Sequence, residues 1–235
     1  VSDYKTIDPI FGTLKDFDAL IKKAHQLNLK VIIDQVISHS SDQHPYFIES
    51  RKSRNNKKAD WYVWADAKAD GTPPNNWMSA FGGPAWSWHP LRRQYYHHKF
   101  LKQQPKLNFH EPAVVNALMD VLRFWLDRGV DGFRLDVAHA YIHDAQLQDN
   151  PPTPMGDRTW LDWAHAPRLQ QHVHDSGLAE NRRAMEQVRA VMNEYPDRMA
   201  FGEFAETPKM ISTYAGEPDR LHSAYTFDFL EDRTL

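Results

Sequence analysis

Gly132-Phe-Arg-Leu-Asp-Val-Ala138 decides how the rest of the chain is read. The run is short and apolar around its one arginine and leads to an acid, the pattern of a strand whose last side chains leave the core. Just ahead of it, Val114, Val115, Leu118, Val121, Leu122, Trp125 and Leu126 recur at helical spacing. Pro112 in the first turn and Gly129 just past the last turn bound that helix. A helix leading directly into a strand is half of a crossover connection, so the segment predicts a parallel sheet and an α/β fold.

Towards the N-terminus the same alternation holds. Phe17, Leu20, Ile21, Ala24 and Leu27 predict a helix from Lys15 to Asn28 with Thr13 as N-cap, and the β-branched run Lys30 to Ile37 predicts a buried strand. Towards the C-terminus, a Pro-rich loop at 150–154 precedes a helix from Glu180 to Glu194, ended by Pro196. Met199 to Glu203 is a third strand, and Ala224 to Leu230 a weaker fourth. Between Ser38 and Phe109 no period is sustained, and Pro, Gly, Asn, Trp, Tyr and His dominate. A stretch that long and irregular, inserted after one strand, is expected to sit over the strand ends and carry function.

Composition narrows the classes further. The chain has 235 residues, 41% of them hydrophobic, enough for a sizeable core and incompatible with disorder. Lys and Arg number 28 against 31 Asp and Glu, a net charge of −3 with the signs interspersed, so nucleic acid is not an expected partner. No apolar run approaches the ~20 residues of a bilayer span. Zero cysteines fit a cytoplasmic location, which is the expectation, though they also permit a periplasmic one. His139 and His143, or His172 and His174, lack the companions of a zinc motif, and no Gly-rich phosphate loop occurs, so neither metal nor cofactor is expected.

Three strands end in the same way, on Asp34, Asp136 and Glu203. In a parallel sheet or barrel the C-terminal strand ends share one face, so acids 102 and 67 residues apart can meet. Carboxylates held together cannot all ionise at their ordinary values, which separates a general acid from a nucleophile and suits glycoside hydrolysis with retention. The alternative is a buried ion pair, Arg134 with Asp136, of purely structural use. Trp61, Trp64, Trp77, Trp86, Trp88, Tyr95, Tyr96 and Phe100 in the irregular stretch suit stacking on sugar faces, or simply form a small core of their own.

The strings DQVISHSSDQHPYF (34–47), DWYVWADAKADGTPPNNWMSAFGGPAW (60–86), QYYHHKF (94–100), GFRLDVAH (132–139) and FGEF (201–204) carry a resemblance. The chain resembles the α-glucosidase and oligo-1,6-glucosidase branch of glycoside hydrolase family 13, the α-amylase family. The resemblance implies part of a (β/α)8 barrel, with residues 1–39 and 109–235 in the barrel and an irregular domain B inserted after the third strand over 40–108. It implies Asp136 as nucleophile, Glu203 as acid/base and Arg134 as the residue that holds the nucleophile ionised. His39 matches the histidine that contacts the sugar, Asp34 the motif's structural acid, and Phe81 and Phe100 the pocket-wall aromatics of this branch. Val137, after the nucleophile, is expected to accompany α-1,6 activity.

The expected substrates are short oligosaccharides such as isomaltose, maltose or sucrose, cleaved by double displacement. A transglycosylase or sugar isomerase of the same family, or a catalytically silent glucosidase-like domain, are the alternatives. The sequence also departs from the family pattern. Ser38 stands where many members have Asn, which weakens a calcium site, Lys106 replaces the Asp of Q-P-D-L-N, and Phe109 replaces a Trp. The resemblance places the family's Asp-x-Gly-Tyr segment before Val1 and the His-Asp motif that carries its third catalytic acid beyond Leu235, so the chain is expected to be an internal fragment with little activity by itself.

Overall fold

The structure, a computed structural model, describes residues 1–157, 165–205 and 207–227. In chain order its elements are α1 (Leu14–Gln26), β1 (Ile32–Gln35), α2 (Pro45–Ser50), β2 (Trp64–Ala65), β3 (Trp86–His89) and β4 (Gln94–His97). They continue with α3 (Pro112–Asp127), β5 (Gly132–Leu135), α4 (Arg182–Met192), β6 (Met199–Phe204), α5 (Pro208–Ile211) and β7 (Ser223–Thr226). The chain divides into two compact units. A sheet unit takes 3–37, 115–139 and the described residues from 180 onward, and an aromatic unit takes 1–2, 38–114 and 140–179.

In the sheet unit, β1, β5, β6 and β7 pair in that order, every pair parallel. The register sets Asp34 opposite Arg134, Arg134 opposite Phe201, and Glu203 opposite Tyr225. Phe133, Leu135, Ala200 and Phe204 are buried, as are Leu118 and Leu122 of α3 and Met185 and Val188 of α4. Gly132 begins β5 because a Cβ there would overlap the carbonyl oxygen of Met199 on the next strand. Thr13 caps α1 as expected, in a reciprocal box with Asp16: the Thr13 N–H donates to Asp16 Oδ2 at 2.8 Å and Thr13 Oγ1 accepts from the Asp16 N–H at 3.4 Å.

Some elements differ from the sequence expectation. β1 covers only part of 30–37 and is not buried throughout, since it lies at the end of the strand order and Ile32 stays exposed. The apolar stripe of α1 buries Ile21 alone, with Leu20 and Leu27 exposed. The helix expected from Glu180 begins at Arg182, after a 3-10 turn over Ala179–Asn181. β7 covers Ser223–Thr226, and the expected strand residues 228–230 lie outside the described residues.

The aromatic unit holds an antiparallel sheet in the order β2, β4, β3, with Trp64 opposite Tyr96, Trp86 opposite His97 and Trp88 opposite Tyr95. One core cluster of the unit is Val63, Ala65, Trp77, Ala85 and Trp86, the two indoles stacked at 5.8 Å. Most of the rings in this stretch therefore pack on one another. Gln148 and Asn150 join the unit through polar ties: the Asn150 N–H donates to Asn76 Oδ1 at 2.8 Å and Trp77 Nε1 donates to the carbonyl of Gln148 at 2.8 Å.

Candidate active site

Each of three neighbouring strands of the sheet unit delivers one acid. Asp34 lies on β1, Asp136 follows β5 by one residue and Glu203 lies near the end of β6. All three meet Arg134. Its Nη1 lies 2.7 Å from Asp34 Oδ2 and 2.9 Å from Asp136 Oδ1, and its Nη2 lies 2.6 Å from Glu203 Oε1. The second oxygen of Glu203 accepts the backbone N–H of Val137 at 3.2 Å. The planar guanidinium suits this task, because its donors diverge in one plane where an ammonium presents a single point of charge. Gly202 leaves space for the residues packed beside it: a Cβ there would lie 2.5 Å from the Phe204 ring and 2.9 Å from Ala138 Cβ, forcing β6 away from the turn after Asp136.

Three carboxylates against one cation leave an excess of negative charge in a partly desolvated site. Asp136 is pushed up to about 6, first by burial, with Glu203 and Asp34 adding to the push. Arg134 pulls in the other direction, as the sequence suggested, but does not win. The Asp136 carboxyl is thus ionised at neutral pH and loses its charge in mildly acidic solution.

Val137 places its amide on Glu203 with φ of 48°, a left-handed backbone that a β-branched residue rarely adopts. Nothing in the residue type announces this.

The other expected residues group in the aromatic unit. His39 is buried, with Nδ1 2.7 Å from Ser38 Oγ and Nε2 3.0 Å from Gln104 Nε2. Burial first, and then the charge of Lys106, lower it to about 4, so its ring is neutral at pH 7. Its ring centroid lies 5.5 Å from that of Phe100, which lies 5.6 Å from that of the exposed Phe81. Nothing local in the sequence marks Gln104 as the partner of His39, although it opens the Gln-Pro-Lys-Leu-Asn run of 104–108. Lys106 itself is buried and donates to the carbonyl of Ala140. Among the described residues no cluster of three or more His, Asp or Glu is arranged to hold a metal ion, and no helix is long and apolar enough to cross a membrane.

Residues 1–234 match the family described as alpha amylase, catalytic domain. The chain belongs to the alpha-amylase family. Its parallel sheet is part of the family's (β/α)8 barrel, and the solved structures it resembles are enzymes of that class. Among the relatives of this alpha-amylase-family chain is a probable alpha-glucosidase of Rhizobium meliloti (strain 1021), 52% identical over 98% of the chain. The chain spans 43% of the length of that relative. The crystal structure of an alpha-glucosyl transfer enzyme, XgtA, is 49% identical with a TM-score of 0.94, and the match covers 98% of this chain and 44% of the other. A mutant of MutB in complex with its substrate sucrose is 33% identical with a TM-score of 0.82, covering 97% of this chain and 39% of the other.

Proposed function

We propose that this chain supplies the nucleophile and the acid/base of a retaining α-glucosidase acting on short oligosaccharides by double displacement. The observation that carries the reading is the convergence of Asp136 and Glu203, from adjacent strands, on the two terminal nitrogens of Arg134. Glu203 protonates the glycosidic oxygen while an Asp136 oxygen attacks the anomeric carbon, and the leaving sugar departs with that proton. Glu203 then takes a proton from water, whose oxygen displaces the Asp136 ester at the same carbon from the opposite side. A net retained configuration follows from the two inversions. Arg134 keeps both carboxylates in place throughout, and the partial neutralisation it offers keeps Asp136 ionised at working pH.

In the same reading the inserted domain is residues 40–108, and His39, Phe100 and Phe81 bind the sugar. The neutral, hydrogen-bonded ring of His39 beside Phe100 supports a role in contacting hydroxyl groups and an apolar sugar face together. The Val137 side chain is read as favouring α-1,6 bonds, with isomaltose as the test substrate and maltose as the comparison. The test is hydrolysis of a chromogenic α-glucoside by the full-length protein: Asp136→Asn abolishes it, and retained activity removes Asp136 from the role.

A second reading is favoured by one observation, the likeness to the crystal structure of an alpha-glucosyl transfer enzyme, XgtA. Here the chemistry to the glucosyl ester is unchanged and another sugar, instead of water, takes the glucosyl group. Product analysis at high sugar concentration separates the two, since transfer yields new oligosaccharides and hydrolysis yields only the component monosaccharides.

A further inference from the structure

Val137 carries more than its side chain. Resting on the reading above, we propose that the left-handed backbone of Val137 is a positioning device, which aims its amide N–H at Glu203 Oε2 and completes the pair of donors that fixes the candidate acid/base.

The two oxygens of Glu203 have separate donors: Oε1 takes Arg134 Nη2 at 2.6 Å and Oε2 takes the Val137 N–H at 3.2 Å. The amide lies in the peptide plane between Asp136 and Val137, so its direction is coupled to φ of Val137. Turning that plane over would return Val137 to a negative φ, but the Asp136 carbonyl, instead of the N–H, would then face the Glu203 carboxylate and repel it. A φ of 48° is the conformational cost of presenting a donor there. Such strain persists only where the surroundings overdetermine it. Here they do: the Asp136 N–H donates to the Gln35 carbonyl at 3.2 Å, the buried Asn181 Nδ2 donates to the Ala138 carbonyl at 2.6 Å, and the Ala205 N–H donates to His139 Nδ1 at 3.4 Å. The turn leaving the nucleophile is therefore pinned on both sides to strands and a helix of the same unit. One peptide plane couples the two reacting carboxylates, its N–H on Glu203 and its preceding residue Asp136 itself.

Two experiments separate the backbone role from a merely structural one. In the full-length protein, Val137 is replaced by its α-hydroxy acid, which keeps the side chain and exchanges the N–H for an ester oxygen. The expected result is a loss of about tenfold in kcat/KM, the scale of one hydrogen bond to a charged group, with the alkaline limb of its pH profile moved up by about one unit. In parallel, Val137→Gly and Val137→Ala are compared by thermal melting. Gly adopts a positive φ freely, so Val137→Gly melts above Val137→Ala, the reverse of their order at an ordinary strand or helix position. An active parent whose pH profile is unmoved by the ester, or an alanine variant that melts above the glycine variant, overturns the positioning role. A parent protein inactive on every α-glucoside overturns the catalytic reading instead, and the positioning role with it.

Discussion

Arg134 Nη1 stands 2.9 Å from Asp136 Oδ1, and the Asp136 carboxyl is nevertheless pushed up to about 6. Burial and the neighbouring carboxylates outweigh the guanidinium. In the proposed role Asp136 must be ionised to attack, so kcat/KM of the full-length protein is expected to fall below about pH 6 with a slope of one decade per unit, and to be flat above it until a second group titrates. Steady-state kinetics on a chromogenic α-glucoside between pH 4 and 9 measure this. A profile still flat at pH 4.5 would show that the carboxyl is not raised.

The same shift has a consequence for stability. A carboxyl whose folded-state value lies above its unfolded one opposes folding once it ionises: the cost is absent below about pH 4 and fully present above about pH 6. Asp136→Asn removes that cost. The variant unfolds with about 1–2 kcal/mol more free energy than the parent at pH 7.5, and with no advantage at pH 4. Urea titrations at the two pH values decide it, and an equal difference at both would count against a raised carboxyl.

Arg134→Lys retains a positive charge and loses the geometry. One ammonium cannot hold Asp34, Asp136 and Glu203 at once, as Nη1 and Nη2 do. The expected loss in kcat/KM is ~10²-fold, as for loss of a preorganised donor. The acid limb of the profile moves upward as well, because burial then meets a weaker opponent. A simple structural ion pair would lower melting temperature and leave the limb where it was.

Much of this site was legible in the sequence because its scaffold obeys local rules. An apolar run leading to an acid marks where a strand leaves the core, and Asp34, Asp136 and Glu203 were found that way. Their convergence needs only the parallel pairing of β1, β5 and β6, which alternation of helix and strand implies. The sheet of β2, β3 and β4 was not legible. Its strands are two to four residues long, Tyr95 and Tyr96 are adjacent on β4, and Trp77 and Trp86 bury one another across a loop, so no period of two survives. The tie of Asn150 to Asn76 is equally invisible, since hydrogen bonds between residues 74 apart leave no local trace. Nor does a valine signal a φ of 48°, which only its pinned neighbours impose.

Asp131 secures the opposite end of β5. It is buried, its Oδ2 accepts the Val31 N–H at 2.8 Å and His25 Nε2 lies 2.7 Å away, while Lys30 Nζ reaches Oδ1 at 3.1 Å. Burial opposes its ionisation, but these donors together lower it to about 2. A depressed carboxyl stabilises above its unfolded value, near 4, and that contribution disappears as pH falls towards 2. Asp131→Asn costs about 2–4 kcal/mol at pH 7, because the buried group that accepts these donors loses its charge. The loss shrinks as pH is lowered from 5 to 2.5, which chemical denaturation can follow. A pH-independent difference would assign the effect to packing.

Lys106, where the family pattern has an acid, makes the converse case. Its side chain is buried, donates to the Ala140 carbonyl, and is lowered to about 7, first by burial and then by the charge of Lys99, with Asp175 opposing. The buried rings of His97 and His143 feel it too: burial, then Lys106, holds both well below their ordinary values. A lysine lowered in the folded state destabilises wherever its unfolded form would be protonated. The cost is full below about pH 7 and fades to nothing above the ordinary lysine value near 10.4. Lys106→Met keeps the volume and removes the charge, a replacement that often stabilises a buried ionic site by about 1–4 kcal/mol. It leaves the Ala140 carbonyl without this donor, at a cost of about 1 kcal/mol that does not vary with pH. The variant therefore gains most over the parent at pH 6 and least at pH 10. Thermal unfolding at those two values tests the point, and a gain that is equal at both would mean that Lys106 titrates as an ordinary lysine.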